Sequence, residues 1–248
     1  MSGGREASGD TERTTADPVD AGTLQADLDQ VLDTIATGGV AIVGLDVAYA
    51  VVAARESGIR RIFAAKQRSW EKPSGMFADA GLSREIHVMD DDRHAMVATL
   101  VGEVGLPFSV VAPFRADHPL FAGVEPFVLG SSSRAGTLDM LINAGQMHDA
   151  IARGSRERGF PVFGSSANTS LAGSKYRYGD IEPAVRQAAD FHVDHGRSRY
   201  ANGEGRSSTI IDFRDFTVIR VGVCFDRLAA EFAQRFDTEL KITERTAR

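Results

Sequence analysis

The chain has 248 residues, 43% of them apolar and 25% charged, proportions that exclude a mainly disordered or fibrous protein and fit one large α/β domain. No apolar run is long enough to span a bilayer, and the single cysteine, Cys224, excludes a disulfide framework and a cysteine-built zinc site. The net charge of −6 argues against a nucleic-acid coat protein, but residues 1–34 set two arginines against eight acidic side chains, so the remainder is neutral.

Residues 1–22, rich in Gly, Ser, Thr, Asp and Glu, read as a disordered acidic tail, with residues 23–248 as the domain. The tail lacks the basic-then-apolar layout of a signal peptide, so a cytoplasmic location is expected. Thr23 can cap a helix carrying Leu24, Leu28, Val31, Leu32 and Ile35 at helical spacing, which Gly38-Gly39 ends. Val40–Val43 is a short β-branched run and reads as a buried strand. Tyr49–Ala54 reads as a second strand or a helix start, and Glu56–Ala65 as a helix. Ser109–Ala112, stopped by Pro113, is another strand, and so is Phe127–Leu129. Met147–Arg158 is an amphipathic helix. Pro161–Phe163 is a strand entering the Ser-rich segment Gly164–Ser170. Phe191–Val193, Thr209–Asp212 and Thr217–Arg220 read as strands, and Leu228–Phe236 as the last helix. Early alternation of strands and helices with late clustering of strands predicts a mixed, twisted sheet flanked by helices.

The usual nucleotide signatures are missing: there is no Gly-Lys pair for a Walker A loop, and Gly203-Glu-Gly205 lacks its third glycine. His192 and His195 read as a solvent-facing pair at a strand end rather than as metal ligands, and Asp90-Asp91-Asp92 as a turn that caps the next helix. Four segments can carry chemistry. Lys66-Gln67-Arg68-Ser69-Trp70-Glu71-Lys72-Pro73 puts three cations just after a helix. If the segment is extended, Lys66 and Arg68 point the same way and clamp a phosphate or carboxylate; otherwise they decorate a helix C-terminus. Gly164-Ser165-Ser166-Ala167-Asn168 offers hydroxyls, an amide and backbone N–H groups to an anion, or makes a polar turn. Gly205–Asp212 brings more hydroxyls into a strand, and Arg220-Val221-Gly222 sets a cation at a strand end.

Lys66-x-Arg68…Lys72-Pro73, Leu106-Pro107-x-Ser109, Ser166-Ala167-Asn168, Ser208-Thr209-Ile210-x-Asp212 and Arg220-x-Gly222 together resemble the YrdC/Sua5/YciO family in order and spacing, from about residue 24 to 225. The resemblance implies a single YrdC-like domain, an α/β fold with a twisted mixed sheet around a concave, positive face. It also implies L-threonylcarbamoyladenylate synthesis from L-threonine, bicarbonate and ATP, with Mg²⁺ accompanying ATP, for the t6A modification of tRNA. Lys66 and Arg68 would be the catalytic cations on the phosphates and carbamate. Ser166, Asn168, Ser208 and Arg220 would bind the nucleotide, and Asp46, Tyr49 and Ser109 would line the substrate pocket. The physics agrees: adenylation needs clustered cations and oriented donors rather than a strong nucleophile.

Two departures stand out. Where the family has Pro-Thr-Asp-Thr-Val-Tyr-Gly, this chain reads Gly44-Leu45-Asp46-Val47-Ala48-Tyr49-Ala50, so both threonine hydroxyls are replaced by apolar groups. The family's Arg-x-Pro also has no counterpart near Asp139–Asn143, with Arg134 the nearest arginine. A paralogue using another acceptor is therefore an alternative. So is a non-catalytic double-stranded RNA binder using Arg153, Arg156, Arg158, Lys175, Arg177, Arg197 and Arg199.

Overall fold

A computed structural model describes residues 12–67, 73–170 and 172–242. Its helices are α1 (Ala21–Ala36), α2 (Glu56–Lys66), α3 (Ala80–Ile86), α4 (Asp91–Thr99), α5 (Pro126–Ser132), α6 (Gln146–Arg158), α7 (Pro183–Gln187) and α8 (Phe225–Phe236). Its strands are β1 (Ala41–Gly44), β2 (Tyr49–Ala53), β3 (Gly75–Phe77), β4 (Phe108–Pro113), β5 (Ser133–Arg134), β6 (Thr137–Ile142), β7 (Phe163–Ser166), β8 (Phe191–Val193), β9 (Ile210–Asp212), β10 (Thr217–Arg220) and β11 (Lys241–Ile242).

All the strands join one sheet in the order β11-β10-β9-β4-β6-β3-β7-β2-β1-β8, with β5 paired beside β6. It is mixed: β3/β6, β4/β9 and β1/β8 are parallel, whereas β4/β6, β2/β7 and β1/β2 are antiparallel. Side chains alternate between the faces of such a sheet. One face presents Val51, Met76, Val110, Met140, Phe163 and Ile211, and these pack with apolar residues of α2–α5, α7 and α8 into the larger core. The other presents Ala41, Val43, Ala50, Val52, Phe77 and Val193 to α1 and α6, through Leu28, Val31, Leu32, Ile35, Met147 and Ile151. These two helices lie over β8, β1, β2 and β3; across β6, β4, β9 and β10 the same face opens into a cleft.

Local chemistry accounts for most of the elements and for the misread ones. The cap of α1 is Asp20, whose carboxylate accepts from the Thr23 N–H at 3.0 Å, so Thr23 is the capped residue and not the cap. Phe127–Leu129 is helical rather than a strand. Pro126 sits at the start of α5, where its fixed φ and missing N–H suit a helix. Asp90 caps α4, accepting from the Arg93 N–H at 2.8 Å. His192 is exposed and stacks on Tyr178 with ring centroids 4.2 Å apart. His195 instead is buried and pairs with Asp27 at 2.7 Å, so the two histidines do not form a solvent-facing pair. Residues 12–20, inside the expected tail, form an ordered strap. Thr15 N–H donates to the Arg197 carbonyl at 2.9 Å, and Gln146 Nε2 donates to the carbonyls of Thr15 and Asp17 at 3.2 and 3.0 Å. Residues 1–11 lie outside the described residues.

His87, just after α3, is fully buried against β6. Its Nε2 lies 3.1 Å from the Leu138 carbonyl and must donate, so Nδ1 of the neutral ring accepts from Ser83 Oγ at 3.0 Å. Burial pushes this imidazole from 6.5 down to about 4. The unfolded chain therefore binds a proton between these values that the folded chain refuses. Unfolding free energy should fall by about 3 kcal/mol as pH drops from about 6.5 to about 4. Urea melts across that range should show the slope in the wild type and a flatter one in His87→Gln; equal slopes would assign it to other groups.

Candidate functional site

The floor of the cleft follows from strand register. Arg220 on β10 neighbours Ile210 on β9, which neighbours Ser109 on β4, Leu141 on β6 and then Phe77 on β3. All five line the cleft, and at about 4.8 Å per strand the row spans about 19 Å. A second row sets Asp139 on β6 beside Gly75 on β3 and Gly164 on β7. The rim adds Ser207 and Ser208 at the Arg220 end, and at the other end Leu45, Val47 and Ala48 of the β1–β2 turn with Ser166, the β7 partner of Ala50, around an open volume of about 650 Å³. Ser165 also borders it, although period-two alternation puts its side chain on the Phe163 face of β7.

The polar end is built around Arg220. Its Nε and Nη2 donate to the Ser208 carbonyl at 3.0 and 2.8 Å, and Nη2 donates to Ser208 Oγ at 3.0 Å. Ser208 Oγ lies 3.3 Å from Ser109 Oγ, so three expected residues form one hydrogen-bonded group. The arginine is accessible to solvent yet surrounded by protein, as expected of a side chain on the floor of a concavity. Crowding lowers its ionisation from the ordinary arginine value and Asp139 opposes this; an arginine stays charged regardless. Gly222 permits the arrangement: a Cβ there would lie 2.2 Å from the Ser207 carbonyl oxygen. Without one, Val223 N–H reaches that carbonyl at 2.8 Å and pins the serine rim.

Lys66 sits elsewhere than the extended-segment reading places it. It is the last residue of α2, 1% exposed, and Gln67 takes a left-handed conformation after it. Its ammonium donates to the Ser166 carbonyl and to the Asn168 carbonyl, the latter at 2.6 Å, and lies 3.5 Å from Asn168 Oδ1. In return the Lys66 carbonyl accepts from Ser170 N–H at 3.0 Å, and Ser166 Oγ donates to Asn168 Oδ1. Lys66 and Asn168 thus lie behind the wall and hold the Ser-Ala-Asn turn in shape, while Ser166 reaches the cleft. Arg68 and Lys72 lie outside the described residues.

Two further expected residues are only partly in the cleft. Tyr49 borders it, but its hydroxyl donates to Asp194 and lies 2.8 Å from the Gly196 carbonyl. Burial, with Asp194 adding to it, pushes the phenol far up, so it stays protonated. Asp46 faces a neighbouring hollow with Asn143, Asp149 and Tyr200. It accepts from Thr15 Oγ at 2.7 Å with Arg199 3.9 Å away. Burial raises its carboxyl more than Thr15 and Arg199 lower it.

Sequence reading did not assign β6 or its cleft residues Asp139 and Leu141. Arg134 is exposed on β5 and does not line the cleft, so the cleft carries Leu141 and no arginine on this strand. Several arginines of the RNA reading are ion-paired: Arg156 with Asp79 and Glu85, Arg158 with Asp29 and Asp33, and Arg177 with Glu12. Lys175 pairs with Glu182 at 3.0 Å.

No family model matches the sequence and no curated protein does. Solved structures do match. A hypothetical protein from Streptococcus mutans UA159 superposes with a TM-score of 0.71 at 17% identity, over 87% of this chain and 94% of its own. P. abyssi Sua5 complexed with L-threonine gives 0.68 at 18% identity over 92% of this chain. E. coli YciO gives 0.59 at 19%, over 80% of this chain and 90% of its own. This chain has the Sua5 fold. It spans 61% of the length of the Sua5 chain. Among the described residues, no helix is long and apolar enough to cross a membrane.

In this version of the Sua5 fold the lysine tether should matter for stability. Replacing Lys66 by Met keeps the stem but strips two buried carbonyls of a charged donor, a loss of about 3 kcal/mol. Chemical unfolding should show that loss, with faster amide exchange at residues 166–170. An unchanged midpoint would mean that the ammonium is not held as described.

Proposed function

We propose that the chain is an adenylate-forming enzyme of the threonylcarbamoyl-AMP synthase type. The amine of an amino acid adds to bicarbonate and water leaves, giving a carbamate. A carbamate oxygen then attacks the α-phosphorus of ATP, forming a carbamoyl-adenylate and expelling pyrophosphate. The observation that carries this reading is the polar end of the cleft: Arg220 hydrogen-bonded to Ser208, with Ser109 beside it, on an open sheet face that Ser207 and Ser166 also line.

The chemistry asks little of the protein beyond placement. The amine is the first nucleophile and the carbamate the second, so no activated serine or cysteine is required. Serine hydroxyls and the Arg220 guanidinium would donate to phosphoryl oxygens as charge shifts towards pyrophosphate, the fixed-donor stabilisation that suits such a step. Among the described residues there is no group of three or more His, Cys, Asp or Glu that could hold a metal by itself. A Mg²⁺ carried by a triphosphate needs only one or two protein carboxylates, and Asp139, the carboxylate among the lining residues, fits that requirement. The metal would neutralise phosphate charge. The L-threonine held by P. abyssi Sua5 supports an amino acid as the third substrate.

Pyrophosphate release should need ATP, bicarbonate and an amino acid together. Arg220→Ala removes one charged donor, so calorimetry with ATP should show a Kd raised about 10–100-fold. Unchanged ATP affinity would remove Arg220 from the site.

A further inference from the structure

Residues 12–20 do not line the cleft, yet one hydroxyl of this strap is tied towards both of its ends. Thr15 is buried; its Oγ donates to Asp46 Oδ1 at 2.7 Å and accepts from the Arg199 N–H at 3.1 Å. Asp46 stands between Leu45 and Val47, which line one end. From Arg199 the ties run to the other end. Tyr200 N–H donates to the Asp46 carbonyl at 2.9 Å, and Asn202 Nδ2 donates to the carbonyls of Tyr200 and Arg206, each at 3.0 Å. Asn202 Oδ1 accepts from the Arg206 N–H at 2.9 Å, and Arg206 leads into Ser207 at the Arg220 end. The strap has its own anchors. Gln146 Nε2 holds the carbonyls of Thr15 and Asp17, and Gln146 Oε1 accepts from the Val19 N–H at 3.2 Å. Gly196 takes a φ of +106°, and a Cβ there would lie 2.3 Å from the Arg13 carbonyl oxygen, so the chain is shaped to let the strap lie close.

Resting on the cleft as the ATP site, we propose that Thr15 is a positioning residue. Its hydroxyl locks the β1–β2 turn to the segment that carries Ser207 and Ser208, and so sets both ends of the cleft from outside it. A hydroxyl has one proton to give and lone pairs to receive, which is what a bridge between a carboxylate and a backbone N–H requires. Apolar packing also holds Leu45 and Val47, but it is non-directional; the hydroxyl bridge adds a fixed geometry. Without it the Asp46 carboxylate loses a buried donor and the Arg199 N–H its acceptor. The two walls then move more independently, and a ligand that touches both must order them itself on binding.

The test uses the full chain with Thr15→Val, which keeps the shape and removes the hydroxyl, and Thr15→Ser, which keeps the hydroxyl. Amide exchange is followed at three hydrogen-bonded N–H groups: Asp46 on the Ala144 carbonyl, Tyr200 on Asp46, and Val223 on Ser207. In Thr15→Val all three should exchange faster while β4 and β6 keep their wild-type rates. Calorimetry with ATP and Mg²⁺ should show a Kd raised about 2–30-fold. Thr15→Ser should restore both. Exchange that quickens everywhere by one factor makes Thr15 a stability residue only and overturns the proposal. So does an unchanged rate at Val223, or a wild-type ATP affinity in Thr15→Val. If the wild type does not bind ATP, the adenylation falls, and the exchange pattern alone decides the role of Thr15. Should Thr15→Val not fold, Gln146→Ala, which frees the strap through other contacts, is held to the same outcomes.

Discussion

A wide sheet has two faces to bury, and this chain covers one of them fully and half of the other. Six helices pack on the face that carries Val51, Val110, Met140 and Phe163. Among the described residues only α1 and α6 serve the opposite face, and they sit over the β8–β1–β2–β3 side. Among the described residues, no helix covers the rest of that face, and the cleft lies there. Its side chains reflect this: where β6 turns Met140 and Ile142 into the core, it turns Asp139 and Leu141 into the cleft. Asymmetric cover thus decides where a site can be, and strand register decides which residues floor it.

A concave face is useful only if its rim stays in place, and three kinds of tie hold it. The first is the buried Lys66 ammonium, which gathers the carbonyls of Ser166 and Asn168. Such carbonyls would otherwise be unsatisfied beside the core, so one cation replaces the water they would need. The second is Arg220, which binds the Ser208 backbone and hydroxyl together. The third is the close approach of residues 222–223 to Ser207 and Ser208, open only to glycine at 222. The strap over residues 12–20 extends the same logic to the β1–β2 turn, through Thr15 on Asp46. The acidity of the amino-terminal part is thereby partly used: Glu12 pairs with Arg177, and Asp29 and Asp33 pair with Arg158.

Much of the scaffold was legible because burial leaves period and composition behind. Val40–Val43 is a run rich in β-branched residues and buried on both faces, and α6 buries one face against α1 while exposing Arg153, Arg156 and Arg158. Other elements were hidden by the same signals. Phe127-Val128-Leu129 looks like a strand until Pro126 is read as a helix start. In β6 the cleft residue Leu141 is as apolar as its core neighbours, so the expected alternation is blurred. Of the expected site, Ser109, Ser208 and Arg220 come together and Ser166 lines the same cleft from β7, because strand ends and small hydroxyls are local signals. The position of Lys66 was not legible: whether a lysine after a helix faces a ligand or a carbonyl depends on where Ser166 and Asn168 lie, a hundred residues away in sequence.

The β1–β2 turn serves the core and the cleft wall at once. Leu45 and Val47 belong to the smaller core together with α1 and α6, and they also wall the cleft. A hydroxyl at either position must find a partner or be buried without one, so exchanging Val for Thr is not neutral there even though the shapes agree. The packing that stabilises the β1–β2 turn therefore also fixes part of the cleft wall. Leu45 and Val47 are thus constrained by the smaller core first, and the apolar part of the cleft wall follows from that packing.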